Sequence, residues 1–204
     1  MITIIKNIKT KVTKGLGIKK DDFIWRGRTM LRLTARGIVI NRNTGKILLI
    51  KYFDKYSKST KEFIDGFWVL PGGGVKRNET FEEAIKREIY EETGIININV
   101  KNCVFSRIMH AELRNIKQSL YYERYYIVET DDVEISINNL TKNEIKVICE
   151  YKWWSINELK QTEDVIFPLS LKTHIDLALI NPTYPIDISD SDELLGVSLS
   201  QKIK

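Results

Sequence analysis

The chain has 204 residues, of which 43% are apolar and 29% are charged, and a formal net charge of +5. These proportions are ordinary for a globular domain, and no uncharged apolar run approaches the 18 or so residues of a membrane-spanning helix. The two cysteines, Cys103 and Cys149, have no metal-like spacing. We therefore predict buried free thiols in a reducing compartment and a cytoplasmic protein without a membrane partner.

Residues 1–28 form a basic N-terminal extension, whose first twenty residues hold six lysines and no acid. Lysines interrupt the apolar residues throughout, so we expect no secretory signal. Apolar residues recur every fourth position from Ile4 to Leu16, which weakly favours a helix. Basic arms can bind nucleic acid or anionic lipid, but a solvated lysine-rich element is commoner. We do not expect nucleic acid as a partner.

The next segments predict strands. The β-branched runs "LRLTARGIVI" and "KILLIKYF" flank the turn "NRNTG", a pattern typical of a β-hairpin. The charged, turn-rich residues 54–66 read as a loop. "FWVL" then predicts a short buried strand that ends at Pro71, and three glycines follow at 72–74.

Strand patterns also dominate after residue 95, in "ININVKNCVFSRIM", "SLYYERYYIVE" and "YKWWS". Ser155 is placed to cap a short helix, and Pro168 predicts the first turn of another helix that reaches about Ile180. We expect the tail from Pro182 to be loosely ordered or draped on the domain. The pattern indicates an α/β (α+β) fold with helices packed on a mixed sheet, divided into residues 1–28, 29–181 and 182–204.

One long helix is predicted from Phe81 to Thr93. Thr80 and Glu83 have capping-box spacing, and Gly94 is suited to the left-handed position after the last turn. The apolar residues of this helix share one stripe, and three acids share another, on what we expect to be its surface. These acids are Glu88, Glu91 and Glu92, hereafter the acidic cluster.

The acidic cluster lies at the wrong end of the helix. A helix C-terminus carries partial negative charge and favours basic residues by about 0.3–1 kcal/mol each, and like charges four residues apart also repel. Ordinary ion pairs between positions i and i+4 explain Glu82 and Glu83. Such pairs do not explain why three acids lie together at the helix C-terminus. Oxygen ligands of this kind suit Mg²⁺, with Mn²⁺ as the alternative.

From Gly73 the chain reads "GGVKRNETFEEAIKREIYEETGI". This stretch resembles the Nudix box, in which a glycine, a glutamate, an Arg-Glu pair, a Glu-Glu pair and a closing glycine stand at set intervals. The flanking "FWVLPGG" and "KWWSINEL" also look like Nudix domains, and the resemblance covers roughly residues 30–180. Nine positions match the box: Gly73, Glu79, Arg87, Glu88, Ile89, Glu91, Glu92, Gly94 and Ile95.

The resemblance implies a Nudix fold, a mixed sheet between helices, and hydrolysis of a nucleoside diphosphate linked to another moiety. It implies that the acidic cluster and the backbone carbonyl of Gly73 coordinate Mg²⁺. Arg87 would hold the catalytic glutamates in place, and Glu79 would brace the junction between loop and helix. The general base varies among Nudix enzymes, so one of the glutamates or a carboxylate further along the chain could serve. Glu144 and Glu150 are the nearest downstream candidates.

Substrate contacts are less specific in the sequence. Trp68, Tyr121, Tyr122 and Tyr125 could stack on a nucleobase, although aromatic residues in strands are more often core. Arginines 26, 28, 32 and 36 lie before or within the first long strand, and one of them, for which we take Arg36, could reach a phosphate. Glu150 is a further candidate contact, and His110 shows no visible partner.

The substrate itself stays open. The chain lacks the extra signatures of Nudix enzymes for ADP-ribose, dinucleoside polyphosphates, coenzyme A and NADH, and the active-site cysteine of isopentenyl diphosphate isomerases. We predict a nucleotide-type small molecule as substrate. Two alternatives are a Nudix-fold sensor of a nucleotide metabolite and an RNA 5′-end pyrophosphohydrolase. Many Nudix domains pair, so the resemblance also allows a homodimer.

Overall fold

The computed structural model describes residues 23–26, 29–53, 65–113 and 116–189, with side chains over 31–53, 65–109 and 120–189. Several predictions lie outside these residues. They are the helix in the N-terminal arm, most of the loop over 54–66, the side chains of Arg26, Arg28 and His110, and the tail after Ser189.

Strands make up nearly half of the described chain. They are β1 (Phe23–Arg26), β2 (Thr29–Asn41), β3 (Ile47–Tyr52), β4 (Phe67–Val69), β5 (Gly72–Gly74), β6 (Ile98–Leu113), β7 (Ile116–Thr130), β8 (Ile148–Trp154), β9 (Ile166–Phe167) and β10 (Ile186–Asp187). The helices are α1 (Phe81–Thr93), α2 (Glu144–Val147), α3 (Ile156–Gln161) and α4 (Leu171–Leu179).

These strands form one mixed sheet. Its main path runs β10-β6-β7-β2-β3-β4-β9, while β1 and β5 pair with β2, and β8 pairs with β3. The long central pair β2 and β7 is parallel, whereas β6 and β7 form an antiparallel pair. The sheet is therefore mixed, as the sequence predicted.

The two faces of the sheet bury separate cores. On one face, α1 packs Ala84, Ile85 and Ile89 against residues such as Val39 and Val128. On the other face, α3 and α4 cover a larger cluster that includes the core side chains of Phe105 and Tyr125. Because helices lie on both faces, the expected mixed sheet sandwiched between helices is confirmed. None of the helices among the described residues has the length and hydropathy to span a membrane.

The predicted hairpin is confirmed at its turn, where Ile40 pairs with Ile47 across residues 41–46. Beyond that pair its two strands take other neighbours. Residues Thr34–Arg36 of β2 pair with the glycine strand β5, and β3 pairs mainly with β8. The hairpin therefore opens, and β5 lies beside the middle of β2.

The helix after Pro168 begins later than predicted. Phe167 belongs to β9, which runs parallel to β4, and the residue before a proline favours extended backbone. The Leu171 amide donates to the Pro168 carbonyl at 2.9 Å, and α4 starts only there. Pro168 is therefore part of the connection and not of the first helical turn.

Two further expectations concern the tail and the cysteines. The start of the tail adds β10 to the sheet beside Phe105 and Ser106, and Ile188 is buried in the core. Both described cysteines are free, but Cys149 is exposed and Cys103 is half-buried, so the prediction of buried thiols is wrong for Cys149.

Candidate active site

Helix α1 has the predicted boundaries. The Thr80 hydroxyl accepts the Glu83 amide at 3.1 Å and the Glu83 carboxylate accepts the Thr80 amide at 2.8 Å, which is a complete capping box. Gly94 ends the helix with φ of 72°, and the last turn holds no basic residue. The acidic cluster therefore lies at an uncompensated helix C-terminus.

The glycine strand β5 lies directly against this helix end. Gly72 has φ of 136°, and a Cβ there would come within 2.1 Å of the Ala35 carbonyl oxygen. A Cβ on Gly73 would lie 2.7 Å from the Glu88 carboxylate. Only glycine lets the backbone of β5 fit between β2 and the acidic cluster.

Glu92 is buried, which contradicts the expectation of a surface stripe. Its carboxylate accepts the Gly72 amide at 2.8 Å and the Tyr52 hydroxyl at 2.9 Å. Burial, followed by repulsion from Glu88, raises the pKa of Glu92 to about 8, although the Gly72 amide and Arg36 oppose this rise. The Tyr151 hydroxyl donates to the Glu92 backbone carbonyl at 2.8 Å. Burial and the neighbouring Glu88 therefore disfavour the charged form of this carboxyl group.

Arg87 donates hydrogen bonds to three further carboxylates at this end of the helix. Its guanidinium donates to both oxygens of Glu79 at 2.7 and 2.9 Å, to Glu88 at 2.6 Å and to Glu91 at 3.0 Å. It also donates to the Gly74 carbonyl at 2.9 Å. Burial alone would lower the pKa of Arg87, but these carboxylates outweigh it and raise the pKa. Arg87 thus joins the glycine strand, the loop before α1 and two of the three clustered acids.

The acidic cluster suits a hard divalent cation by its chemistry, since carboxylate and carbonyl oxygens are the donors that Mg²⁺ and Mn²⁺ prefer. Each acid nevertheless has a different neighbour. Glu88 lies against Gly73, Glu91 faces Lys76 at 3.5 Å, and Glu92 points towards Tyr52. Within the described part of the chain, no three acidic, histidine or cysteine side chains are grouped closely enough to hold a metal ion.

The two downstream carboxylates lie in different places. Glu144 opens the short helix α2, where its carboxylate accepts the Thr141 amide at 2.7 Å. Its charge contributes to the raised pKa values of Tyr52 and Tyr151, the two tyrosines bonded to Glu92, so it lies near the acidic cluster. Glu150 is half exposed and lies 4.0 Å from Lys51 on the face opposite α1. Its position does not support a contact to a phosphate bound at the acidic cluster.

The predicted aromatic contacts are mostly core residues. Trp68 is 2% exposed, packs edge-on against Trp154 and donates to Asp164 at 3.1 Å. Its ring is therefore part of the core, and its position gives no support to the predicted contact with a nucleobase. Tyr121 is 9% exposed and lies under the guanidinium of Arg32, 5.7 Å from the ring centroid.

Arg36 lies at the boundary between the acidic cluster and the opposite face of the sheet. Its Nη1 donates to the carbonyls of Leu70 at 3.2 Å and Gly72 at 2.7 Å. Burial raises the pKa values of both Glu88 and Glu92, and the charge of Arg36 opposes part of this rise. Its Nε lies 3.8 Å from the carboxylate of Glu123. The structure therefore brings this predicted substrate contact close to the acidic cluster.

A second charged group lies on the face opposite α1 and was not among the predicted site residues. Glu123 and Arg107 are both buried and form an ion pair at 2.7 Å. A signal was present, because Glu123 is a charged residue that alternates with Tyr121, Tyr125 and Ile127 on one strand face. Tyr52 was also missed, since nothing in the sequence links it to a helix 40 residues later.

Comparison with known proteins agrees with this fold. A family model described as NUDIX domain matches residues 31–172, more than half of the chain. "Nudix hydrolase 6" of Arabidopsis thaliana is 30% identical over 127 residues, which are 62% of this chain and 40% of that protein. An RNA pyrophosphohydrolase of Psychromonas ingrahamii is 38% identical over 71 residues, 35% of this chain and 34% of that protein. The chain thus spans less than half the length of these two relatives.

An RNA pyrophosphohydrolase of a Wolbachia strain from Culex pipiens matches over a longer stretch, with 26% identity over 132 residues, 60% of this chain and 74% of that protein. Among solved structures, the E. coli dihydroneopterin triphosphate pyrophosphohydrolase has a TM-score of 0.53 at 15% identity and covers 74% of this chain and 96% of its own. The MutT protein of Methanosarcina mazei has a TM-score of 0.50 at 22% identity, covering 74% of this chain and 95% of its own. At these identities the structures support the fold alone.

Proposed function

The chain belongs to the NUDIX domain family, and from that premise we propose that it is a metal-dependent pyrophosphohydrolase. It cleaves a nucleoside diphosphate linked to another moiety by attack of water on phosphorus. The observation that carries this proposal is the acidic C-terminal end of α1, held against the glycine strand β5 by Arg87 and by the Gly72 amide.

In this proposal the acidic cluster and the Gly73 carbonyl hold Mg²⁺ or Mn²⁺. When bound, such an ion neutralises phosphate charge and activates a water for in-line attack. Arg87 positions Glu88 and Glu91 through charge-assisted hydrogen bonds. The general base is one of the clustered glutamates or Glu144, the downstream carboxylate near Tyr52 and Tyr151.

Arg36 is the proposed phosphate contact of the substrate. Its guanidinium lies beside the acidic cluster, is about a quarter exposed, and is fixed by two backbone carbonyls. A fixed guanidinium is well suited to phosphate oxygens. The substrate is therefore a nucleotide-type small molecule whose phosphates extend from α1 towards Arg36. Both described cysteines are free, and we infer a cytoplasmic setting for this activity.

The test is a hydrolysis panel with Mg²⁺ or Mn²⁺, comprising nucleoside triphosphates, nucleotide sugars, dinucleotides and 5′-triphosphorylated RNA, with products read by mass spectrometry. Glu91→Gln should lower turnover by about 10- to 100-fold or more, because Glu91 is a proposed metal ligand. Glu82→Gln is the matched control, since Glu82 is an exposed acid on the same helix. Full activity of Glu91→Gln would overturn the site assignment.

The same panel separates the alternatives. The RNA pyrophosphohydrolases among the relatives favour one second candidate, an RNA 5′-end pyrophosphohydrolase. Release of pyrophosphate from 5′-triphosphorylated RNA, well above release from free nucleotides, would select it. Tight binding of one panel member without any hydrolysis would instead favour a sensor.

A further inference from the structure

A small pocket opens on the sheet face opposite α1. It has a volume of about 30 Å³ and is lined by Arg36, Val69, Arg107, Glu123, Tyr125, Phe167 and Pro168. We call it the Glu123 pocket. A space of this size accepts about one or two non-hydrogen atoms, since a single water needs roughly 10–15 Å³ on the same measure.

The carboxylate of Glu123 is bonded very unevenly. Its Oε2 accepts Arg107 Nε at 3.1 Å, Arg107 Nη2 at 2.7 Å and the Tyr125 hydroxyl at 2.5 Å. Its Oε1 accepts no hydrogen bond from the described residues, and the nearby Arg36 Nε is 3.8 Å away, beyond hydrogen-bond range. The residue is only 4% exposed and lines the pocket, and its Oε1 is not sealed from solvent there.

Glu123 stays charged in this position. Burial raises the pKa of Glu123, but the Arg107 and Arg36 guanidiniums outweigh it, and the pKa lies below its usual value. A purely structural pair with Arg107 needs neither the open oxygen nor the pocket. Glu123 Oε1 is therefore free to accept a hydrogen bond from a ligand in the pocket.

Arg36 connects this acceptor with the acidic cluster. Its guanidinium lines the Glu123 pocket, and its charge also acts on Glu88 and Glu92. A substrate with its phosphates at the acidic cluster and Arg36 therefore has its adjoining portion at the mouth of the Glu123 pocket. The apolar walls Val69, Phe167 and Pro168 leave Glu123 Oε1 as the acceptor that such a portion meets there.

We propose that Glu123 is a specificity-determining residue, whose Oε1 accepts a hydrogen bond from a small donor on the nucleoside portion of the substrate. The donor is an amino group on the base or a hydroxyl on the sugar, because the pocket is too small for a whole ring. The nucleoside identity of the ligand rests on the proposed function. The donor chemistry follows from the pocket alone.

The test compares ligands that differ in one donor. Affinities of GMP and IMP, of AMP and purine riboside monophosphate, and of ribo- and 2′-deoxyribonucleotides are measured by calorimetry or by ligand-detected NMR. The wild-type protein should favour the donor-bearing member of at least one pair by about 10- to 100-fold, the usual range for a hydrogen bond to a charged group. The base pairs and the sugar pair distinguish the two sources of the donor.

Glu123→Gln inverts the polarity of the pocket. Arg107 and Tyr125 are donors, so they hold the amide oxygen, and the amide nitrogen faces the pocket as a donor. The preference seen in the wild type should then vanish or reverse. Glu129→Gln is the matched control, because Glu129 lies on the same strand, pairs with Lys101 at 3.3 Å and does not line the pocket.

Equal affinities within all three pairs for the wild-type protein would overturn the proposal, whether or not the variant folds. An unchanged preference in folded Glu123→Gln would also overturn the proposal, because atoms other than those of Glu123 would then determine which ligand binds. Monophosphates contain no phosphoanhydride, so these results do not depend on turnover. Discrimination among monophosphates with no hydrolysis of any corresponding di- or triphosphate would count against the proposed function and leave the role of Glu123 standing.

Discussion

Glu92 shows how strongly the environment of a single residue changes its chemistry. It belongs to the same helix turn as Glu91, yet it is buried and bonded to Tyr52 and the Gly72 amide, whereas Glu91 is more than a third exposed. A pKa of about 8 means that burial and Glu88 disfavour its charged form. The three clustered acids are therefore not equivalent before a cation binds.

The pH dependence of stability should report this difference. Because the folded pKa of Glu92 lies above the ordinary value of 4.5, its protonated form stabilises the fold fully below pH 4.5, and this contribution is lost as pH rises towards 8. Glu92→Gln mimics the protonated form. In EDTA, we expect its free energy of unfolding to exceed that of wild type at pH 9 by an amount on the order of a few kcal/mol, since one pKa unit is about 1.4 kcal/mol.

Chemical denaturation between pH 5 and pH 9 measures this gain for Glu92→Gln and, as a control, for the exposed Glu82→Gln. The difference between Glu92→Gln and wild type should grow with pH, while that for Glu82→Gln should stay small. A gain that does not change with pH would show that Glu92 is ionised throughout, contrary to its surroundings.

Arg87 should be irreplaceable by lysine. A lysine can donate to one or two of its partners, but it cannot span both oxygens of Glu79 together with Glu88 and Glu91. We expect Arg87→Lys to lose about 1–3 kcal/mol of stability, because partly buried carboxylates lose their donors. Arg42→Lys at the exposed pair with Asp131 is the comparison, with an expected cost of under about 1 kcal/mol. Equal losses of unfolding free energy in urea denaturation would contradict the role of Arg87 in binding several carboxylates at once.

Between elements, the closest fit is that of the glycine strand β5 against α1. A Cβ on Gly73 would meet the Glu88 carboxylate at 2.7 Å, so Gly73→Ala should push that side chain away from its bond with Arg87. Turnover should fall by about tenfold to a hundredfold, since a shift of about 1 Å can cost this much.

A double-mutant cycle isolates that contact. The stability cost of Gly73→Ala, measured by thermal denaturation, should be present with Glu88 and largely absent in a Glu88→Ala background. If the cost is the same in both backgrounds, the substituted methyl group meets something other than Glu88.

Helix α1 was the element that the sequence predicted best. Its ends depend on local chemistry, a capping box at Thr80 and a left-handed glycine at Gly94, and both were confirmed. The helix after Pro168 was placed too early because a strand pairing, β9 with β4, decided the conformation of Phe167. Local signals predict an element well where no distant strand competes for its backbone.

On the scale of the whole molecule, the sheet assembles groups that are far apart in sequence. The sequence predicted the acidic cluster and Arg87, because the Nudix box is contiguous. It could not predict the burial of Glu92, which depends on Tyr52 from β3, or the pair of Glu123 and Arg107, which forms only when β6 and β7 pair. The alternation of a strand can mark Glu123 as a charged residue among aromatic ones, but it does not identify the partner on another strand.

Metal binding should stabilise the molecule as a whole. If a divalent cation binds only the folded state, it adds about 2.7 kcal/mol at a hundred times its dissociation constant. We expect millimolar Mg²⁺ to raise the melting temperature of wild type above its value in NaCl of equal ionic strength, and to raise that of Glu91→Gln much less. Equal shifts for both proteins in differential scanning fluorimetry would place the cation elsewhere.

Gly72 lies where the pairing of β2 with β5 ends, between the acidic cluster and the Glu123 pocket. Its amide is held by Glu92 and its carbonyl by Arg36, so one residue joins the acidic cluster to the Glu123 pocket. If a cation bound at the acidic cluster drew Glu92 outward, it would shift Gly72 and the guanidinium of Arg36 that is bonded to it. Metal and nucleotide should therefore bind cooperatively, and each should change the affinity of the other by the same factor.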